Sequence, residues 1–192
     1  MLIGDIVSKT ANKKGDKIAA VSDEKKITYQ ELEKESNQLA HGLIDLGINP
    51  SDMVSIMLPN SIKFLTAYLG VIKSGATMVP LNISFKVPAV EYILNNSEAK
   101  IVITSKKFLP LIQKCSLNNL EKIILVDGDK SDDYMLLSEL AEQDSTLPEL
   151  KNIDQEFTAA CLYTSGTTGQ PKGAMLTHHN LIFDTNKTIE HL

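Results

Sequence analysis

Between residues 54 and 126 the chain alternates short apolar runs with stretches of helical periodicity. That alternation restricts the fold more than any other feature of the sequence. Residues 54–58 read as a short buried strand. Ser61 then caps a helix that runs to Lys73, with Phe64, Leu65, Tyr68, Leu69 and Ile72 on its inner side, and Gly75 ends it. Residues 77–80 return as a strand, and Pro88 stands near the start of a helix that reaches Asn95. A strand over 100–104, a helix over 106–114 and a strand over 122–126 repeat the rhythm. Strands joined by helices of this length need crossover connections, and such crossovers are right-handed. The expectation is an α/β fold with a largely parallel sheet and flanking helices.

The flanks fit the same plan. Leu2, Ile3, Ile6 and Val7 mark a short amphipathic helix over 3–14. Residues 18–22 and 27–29 read as two strands around the turn Asp23-Glu24-Lys25-Lys26. Thr28-x-x-Glu31 has capping-box spacing, and Leu32, Leu39, Leu43 and Leu46 continue a helix that Gly47 closes. Residues 127–133, DGDKSDD, read as a solvated loop; the glycine and distal glutamate spacing of a calcium loop is absent. Residues 145–155 form a second polar connector. The apolar run FTAACLY over 157–163 reads as a buried strand, 174–177 as a short return strand, and Thr177 or Asn180 starts a last helix. By pattern the chain divides into a first αβ segment (1–50), an αβ sandwich (51–155), and a strand, loop and helix (156–192).

Bulk properties exclude several classes. The 192 residues suffice for a sizeable core, and 43% of them are apolar. No apolar run approaches the ~18 residues of a membrane span. The first residues lack the basic start and apolar stretch of a secretory leader. Cys115 and Cys161 form no pairing pattern, so a reducing compartment, the cytoplasm, is expected. The net charge of −5 is dispersed, which argues against a nucleic-acid surface. All 19 basic residues are lysine. Any phosphate bound here is therefore held without a guanidinium fork.

Chemistry is concentrated in one place. Residues 164–173 read TSGTTGQPKG: four hydroxyls, three glycines and a lysine directly after the apolar run. Glycines let a backbone turn tightly and aim its N–H groups at an anion. The hydroxyls of Thr164, Ser165, Thr167 and Thr168 can donate to phosphate oxygens, and Lys172 adds a point charge. The spacing Gly166-x-x-Gly169-x-x-Lys172-Gly173 differs from both common nucleotide loops, and no Ser or Thr follows the lysine to hold Mg²⁺. A plain Ser/Thr turn between strands is the alternative. His178 and His179 follow at a helix start, where helix-end packing is expected rather than proton transfer. His41 belongs to a helix flank, Cys161 to the core, and Tyr163 to the packing before the loop. The Asp127/Asp129 pair reads as solvated.

TSGTTGQPKG resembles the phosphate-binding signature of the adenylate-forming enzymes: acyl-CoA synthetases, adenylation domains of peptide synthetases and luciferases. The similarity continues along the chain. Ile27-Thr28-Tyr29-Gln30-Glu31-Leu32 resembles an early T-Y-x-E-L element, DMVSIMLPN (52–60) a first core strand and turn, and IKSGATMVPLN (72–82) a K-x-G-x-x-x-x-P-L-N segment. EYILNNSEA (91–99) and IVIT (101–104) follow in order. GATMVPLN and the loop text look most like bacterial medium- and long-chain fatty acyl-CoA synthetases; aryl-CoA ligases and carrier-protein-loading adenylation domains share much of both.

The resemblance implies an incomplete N-terminal domain of the synthetase/luciferase-like fold. It also implies a ligase that joins a carboxylate, a fatty acid by preference, to ATP as an acyl-adenylate and passes it to coenzyme A. Thr164, Ser165, Gly166, Thr167, Thr168 and Gly169 would cradle the β- and γ-phosphates. Lys172 would neutralise the leaving pyrophosphate, and Thr168 would approach Mg²⁺ through ATP. The family's adenine- and ribose-binding segments and its C-terminal lysine lie beyond the phosphate loop. These 192 residues alone are therefore expected not to adenylate, and their open sheet edges are expected to self-associate.

Overall fold

The computed structural model describes residues 1–23, 25–164 and 170–190. Helix α1 (Ile3–Lys14) leads into the antiparallel pair β1 (Ile18–Ser22) and β2 (Lys25–Thr28). Helix α2 (Tyr29–Asp45) starts on the expected capping box: the Glu31 amide donates to the Thr28 hydroxyl at 3.2 Å, and the Thr28 amide donates to the Glu31 carboxylate at 2.8 Å. The alternating segment follows as β3 (Met53–Met57), α3 (Ile62–Lys73), β4 (Thr77–Pro80), α4 (Val87–Asn96), β5 (Ile101–Thr104), α5 (Leu109–Ile112) and β6 (Lys122–Leu125). Strands β7 (Met135–Leu136), β8 (Thr158–Thr164) and β9 (Lys172–Thr177) and helix α6 (His178–Glu190) complete the described chain. Ser61 caps α3 as its hydroxyl position suggests, accepting from the Phe64 amide at 3.1 Å.

One sheet of seven strands runs β7-β6-β5-β3-β4-β8-β9, parallel throughout except for the antiparallel last pair. Period-two alternation divides its side chains between two cores. Val54 and Ile56 of β3, Ile101 and Ile103 of β5, and Ala160 of β8 meet α2 and α3 through Leu39, Leu43, Ala67 and Val71. Met57, Val79, Val102 and Cys161 point the other way, onto Val90, Ile93 and Leu94 of α4 and onto Phe108 and Ile112. The result is three layers, helices on both faces of a parallel sheet. A third, smaller core (Ile27, Leu32, Leu69) seats the β1–β2 pair against α2 and α3.

Three details depart from the pattern reading. The helix expected over 106–114 shrinks to the single turn α5, because Ser105, Phe108 and Leu109 arrange a tight series of short backbone bonds instead. Met135–Leu136 add an unexpected seventh strand, followed by a 3-10 turn over Leu137–Leu140; two residues carry too little periodicity to be read. The return strand starts at Lys172 rather than at 174, so the Pro-Lys-Gly text is partly ladder rather than loop. Of the two helix starts, Thr177 is the cap: its hydroxyl accepts from the Asn180 amide at 3.1 Å.

The helical layer is knitted by a buried lysine. The Lys73 side chain is wholly buried, and its ammonium donates to Glu33 at 2.6 Å and to Ser36 and Asn37 at 2.8 Å each. Burial pulls its pKa below the usual lysine value, and the Glu33 contact opposes that shift. Lys73→Ala strands the Glu33 carboxylate under α1 and is expected to cost roughly 3–5 kcal/mol. Urea unfolding, with midpoint and slope compared to wild type, checks this; Lys73→Met paired with Glu33→Gln is expected to recover most of the loss.

Candidate functional site

The hydroxyl-rich motif joins β8 to β9. Thr164 ends the first arm, Lys172 begins the second, and the two are cross-strand partners. Both side chains are exposed. The ladder therefore brings Thr164 and Lys172 together at the mouth of the segment that holds the other predicted ligands. Ser165, Gly166, Thr167, Thr168 and Gly169 lie outside the described residues, and the predicted Mg²⁺ approach through Thr168 lies there with them.

Position matters as much as composition. β8 is parallel to β4 through the Met78–Ala160 pairing, so the motif emerges at the carboxyl end of the parallel strands. Open α/β sheets bind ligands at that end, where no helix covers the strand tips. An open cleft of about 510 Å³ lies beside it, between the segments after β3 (Pro59, Asn60), after β4 (Leu81, Asn82) and the last residues of β8 (Leu162, Tyr163). Its walls mix apolar side chains with polar groups, Asn60, Asn82 and Tyr163 among them.

Three side chains stiffen the hairpin. The Tyr163 phenol donates to Asn96 Oδ1 at 2.7 Å, tying the end of β8 to the end of α4. Burial pushes the phenol up to about 12, helped by Cys161 and Tyr92, so it stays a neutral donor. Cys161 is buried beneath it, and burial likewise raises its thiol; it is packing, as expected, and not a nucleophile. Gly173 has a role the motif text does not announce. It is the cross-strand partner of Tyr163, and a Cβ there would stand 2.7 Å from Cys161 Sγ and 3.1 Å from the Tyr163 ring. The glycine beside Lys172 makes room for an aromatic ring. Asn96 also escaped the sequence reading; an asparagine at a helix end gives no sign of its distant partner.

The histidines separate. His178, the first residue of α6, is buried, and its Nδ1 accepts from the Ile3 amide at 3.3 Å. His179 stays exposed and stacks on Phe183 with ring centroids 6.3 Å apart. His41 Nε2 lies 3.0 Å from the Thr146 carbonyl, a link from α2 to the connector. Asp127 accepts from the Lys106 amide at 2.6 Å, and the exposed Asp129 pairs with Lys106 at 3.3 Å. Among the described residues no three His, Cys, Asp or Glu side chains converge as metal ligands. The donors at the hairpin mouth are a hydroxyl and an ammonium. That set fits a phosphate, and fits a divalent cation only as one carried on phosphate. Among the described residues no helix is long and apolar enough to cross a membrane.

Comparison with known proteins gives this geometry a family. A profile of the AMP-binding enzyme family matches residues 7–191, and the chain belongs to that family. It is 34% identical over 180 residues to surfactin synthase subunit 1 of Bacillus subtilis (strain 168), covering 94% of this chain and 5% of that protein. Among solved structures, the anthranilate CoA ligase AuaEII in complex with anthranoyl-AMP superposes with a TM-score of 0.87 at 29% identity, over 93% of this chain and 35% of that one. A putative long-chain-fatty-acid CoA ligase from Rhodopseudomonas palustris gives 0.89 at 19% identity, over 100% and 48%, a likeness of fold. The chain thus spans less than half the length of each of these relatives. The likeness reaches peptide-synthase and aryl-CoA-ligase sequences as well as the fatty acyl-CoA ligase fold.

Proposed function

We propose that residues 1–192 form the triphosphate-binding side of an ATP-dependent acid–thiol ligase. The observation that carries the reading is the registered Thr164–Lys172 pair, set at the carboxyl end of a parallel sheet around TSGTTGQPKG. In this reading the segment 164–169 cradles the β- and γ-phosphates with N–H groups and hydroxyls. Lys172 faces the same anion from the opposite arm. A carboxylate attacks the α-phosphorus in line, the bond to the bridging oxygen breaks, and pyrophosphate leaves with the electron pair. The protein's part in that step is to hold the triphosphate still and to neutralise charge as it builds on the leaving group. Mg²⁺ bound to the phosphates supplies further neutralisation. The acyl-adenylate then yields its acyl group to a thiol, coenzyme A in the leading version.

Two versions of the acid stand side by side. A fatty acid is supported by the GATMVPLN text and the loop text. An amino or aryl acid, passed to a carrier protein or to coenzyme A, is supported by the identity to surfactin synthase subunit 1 and to the anthranilate CoA ligase. The cleft of about 510 Å³ beside the hairpin, with its mixed apolar and polar walls, suits part of either acid or the thiol. The cytoplasm is the compartment this chemistry suits, since ATP and reduced thiols are at hand there.

Calorimetry with pyrophosphate and with Mg–ATP tests the phosphate cradle. Lys172→Ala removes one charge-assisted contact and is expected to weaken binding roughly tenfold or more, from about 1.5–3 kcal/mol per such bond. Absence of binding by the wild type would remove the cradle reading. Pyrophosphate exchange is expected to stay at background on the 192-residue chain with fatty, amino and aryl acids alike, because the resemblance puts the adenine and ribose grips beyond the loop. Exchange with one class of acid would name the substrate and overturn the inactivity. Self-association is also expected, since among the described residues β9 is the last strand of the sheet, and Met175 on it and Phe183 and Ile189 on α6 are exposed. Light scattering over a range of concentrations checks it; a constant monomer mass counts against it.

A further inference from the structure

The proposed cradle hangs from two strands, and the second strand ends at a buried histidine. β9 runs from Lys172 to Thr177, and the next residue, His178, opens α6. Its backbone amide donates to the Phe157 carbonyl at 3.1 Å, next to the start of β8. Its ring reaches 175 residues back along the sequence, where Nδ1 accepts from the amide of Ile3, the first residue of α1. That amide is one of the donors a helix N-terminus leaves without an internal partner. An accepting Nδ1 carries no proton, so the imidazole is neutral with its hydrogen on Nε2. A second proton would turn the acceptor into a donor aimed at a donor.

We propose that His178 is a positioning residue that works as a proton-sensitive latch: neutral, it clips the β9–α6 junction to α1 and holds the Lys172 arm of the hairpin in place; protonated, it lets go. The inference rests on the phosphate reading only for its consequence, not for the latch itself. The surroundings set the direction of the response. On α1, Asp5 favours the charged ring, and the amino terminus of Met1 opposes it. On the connector before β8, whose Gln155 and Phe157 carbonyls accept from the His179 and His178 amides, the acidic groups are Asp154 and Glu156. On α6 itself the neighbouring titratable group is His179. Burial is the largest influence and holds the ring below the ordinary histidine value of 6.5. A histidine whose pKa is depressed by folding contributes stability that is complete above the unfolded value. That contribution is lost as pH falls through the lower, folded value. The latch is therefore closed at neutral pH and opens on the acid side of 6.5.

The experiment compares wild type, His178→Asn and His178→Leu. Asparagine keeps an acceptor near the Nδ1 position and cannot titrate; leucine fills the space and cannot accept. Amide hydrogen exchange, corrected for its intrinsic pH dependence, is followed at Ile3 and along β9 from pH 7.5 to 5. Histidine ring chemical shifts are recorded alongside. In wild type, protection at these amides is expected to fall about tenfold as His178 titrates, the size expected for one unpaired buried amide. In His178→Asn it is expected to stay flat, and in His178→Leu to be low at every pH. Equal pH dependence in wild type and His178→Asn, or a ring that titrates like free imidazole, overturns the latch. Pyrophosphate calorimetry on the same three proteins reads the consequence. Affinity that falls with the exchange signal joins latch to cradle. A normal exchange pattern without any pyrophosphate binding rejects the cradle and leaves the latch standing.

Discussion

A single ammonium, that of Lys73, ties together segments that lie far apart in the chain. Glu33 receives it and also accepts from the Ser8 hydroxyl at 2.5 Å, which brings in α1. Asn37 accepts from Lys73 through Oδ1 and donates through Nδ2 to the Ser145 carbonyl at 2.8 Å, which brings in the connector before β8. Four segments far apart in sequence thus converge on one charge. Such a charge costs several kcal/mol to bury and is tolerable only with every proton placed. Here all three acceptors are present, and the described residues hold no buried side-chain polar atom without a partner. The network is specific in a way that apolar packing is not. Its three partners all fall within residues 33 to 37 of α2, so the contact fixes where α3 stands along α2. The helices that cover β3 and β4 are held in register by it, and with them the sheet on which the hairpin is built.

The pattern of the sequence disclosed the elements and hid their arrangement. Short apolar runs alternating with period 3.6 located β3 through β6, α3 and α4 to within a residue or two, because each strand is buried on both faces and each helix on one, but they overran α5, expected over 106–114 and observed over Leu109–Ile112. It did not disclose that β3 is central, with β4 on one side and β5 on the other. That order follows from which face each crossover helix covers: α3 lies on one side of the sheet and α4 on the other. β7 was unreadable because its two residues form no period. Lys73 was readable in principle. It lies four residues after the buried Leu69 and seven after the buried Thr66, on the inner face of an otherwise apolar helix. A charge in that place asks for a partner, though the sequence does not say that the partner is Glu33.

The site was legible as text and less so as geometry. Thr164 and Lys172 were named for their chemistry, and the structure adds that they face each other across a ladder. Gly173 was counted with the phosphate glycines, yet its missing side chain serves the Tyr163 ring and Cys161. In the proposed reading two demands overlap in one motif: small residues to approach an anion, and a small residue to leave room for the tyrosine that reaches Asn96. Sequence alone does not distinguish them, because both read as glycine after a lysine. The structure does at this position, since a Cβ on Gly173 would stand 2.7 Å from Cys161 Sγ and 3.1 Å from the Tyr163 ring, closer than either neighbour accepts without shifting.

Placing Lys172 on a strand changes what its charge can do. A lysine in a free loop loses the entropy of both backbone and side chain when it grips an anion, of order 1–2 kcal/mol for the backbone alone. Here the ladder has already ordered the backbone. Its Cα is fixed opposite Thr164 at the ordinary spacing of paired strands, about 4.5–5.5 Å. Only the side-chain torsions remain to be ordered, so more of the Coulomb attraction is left for binding. In a chain without arginine, one strand-held lysine thus supplies a preorganised charge. That effect depends on the hairpin staying closed, which makes its anchors at Tyr163 and His178 as consequential as the charge they position.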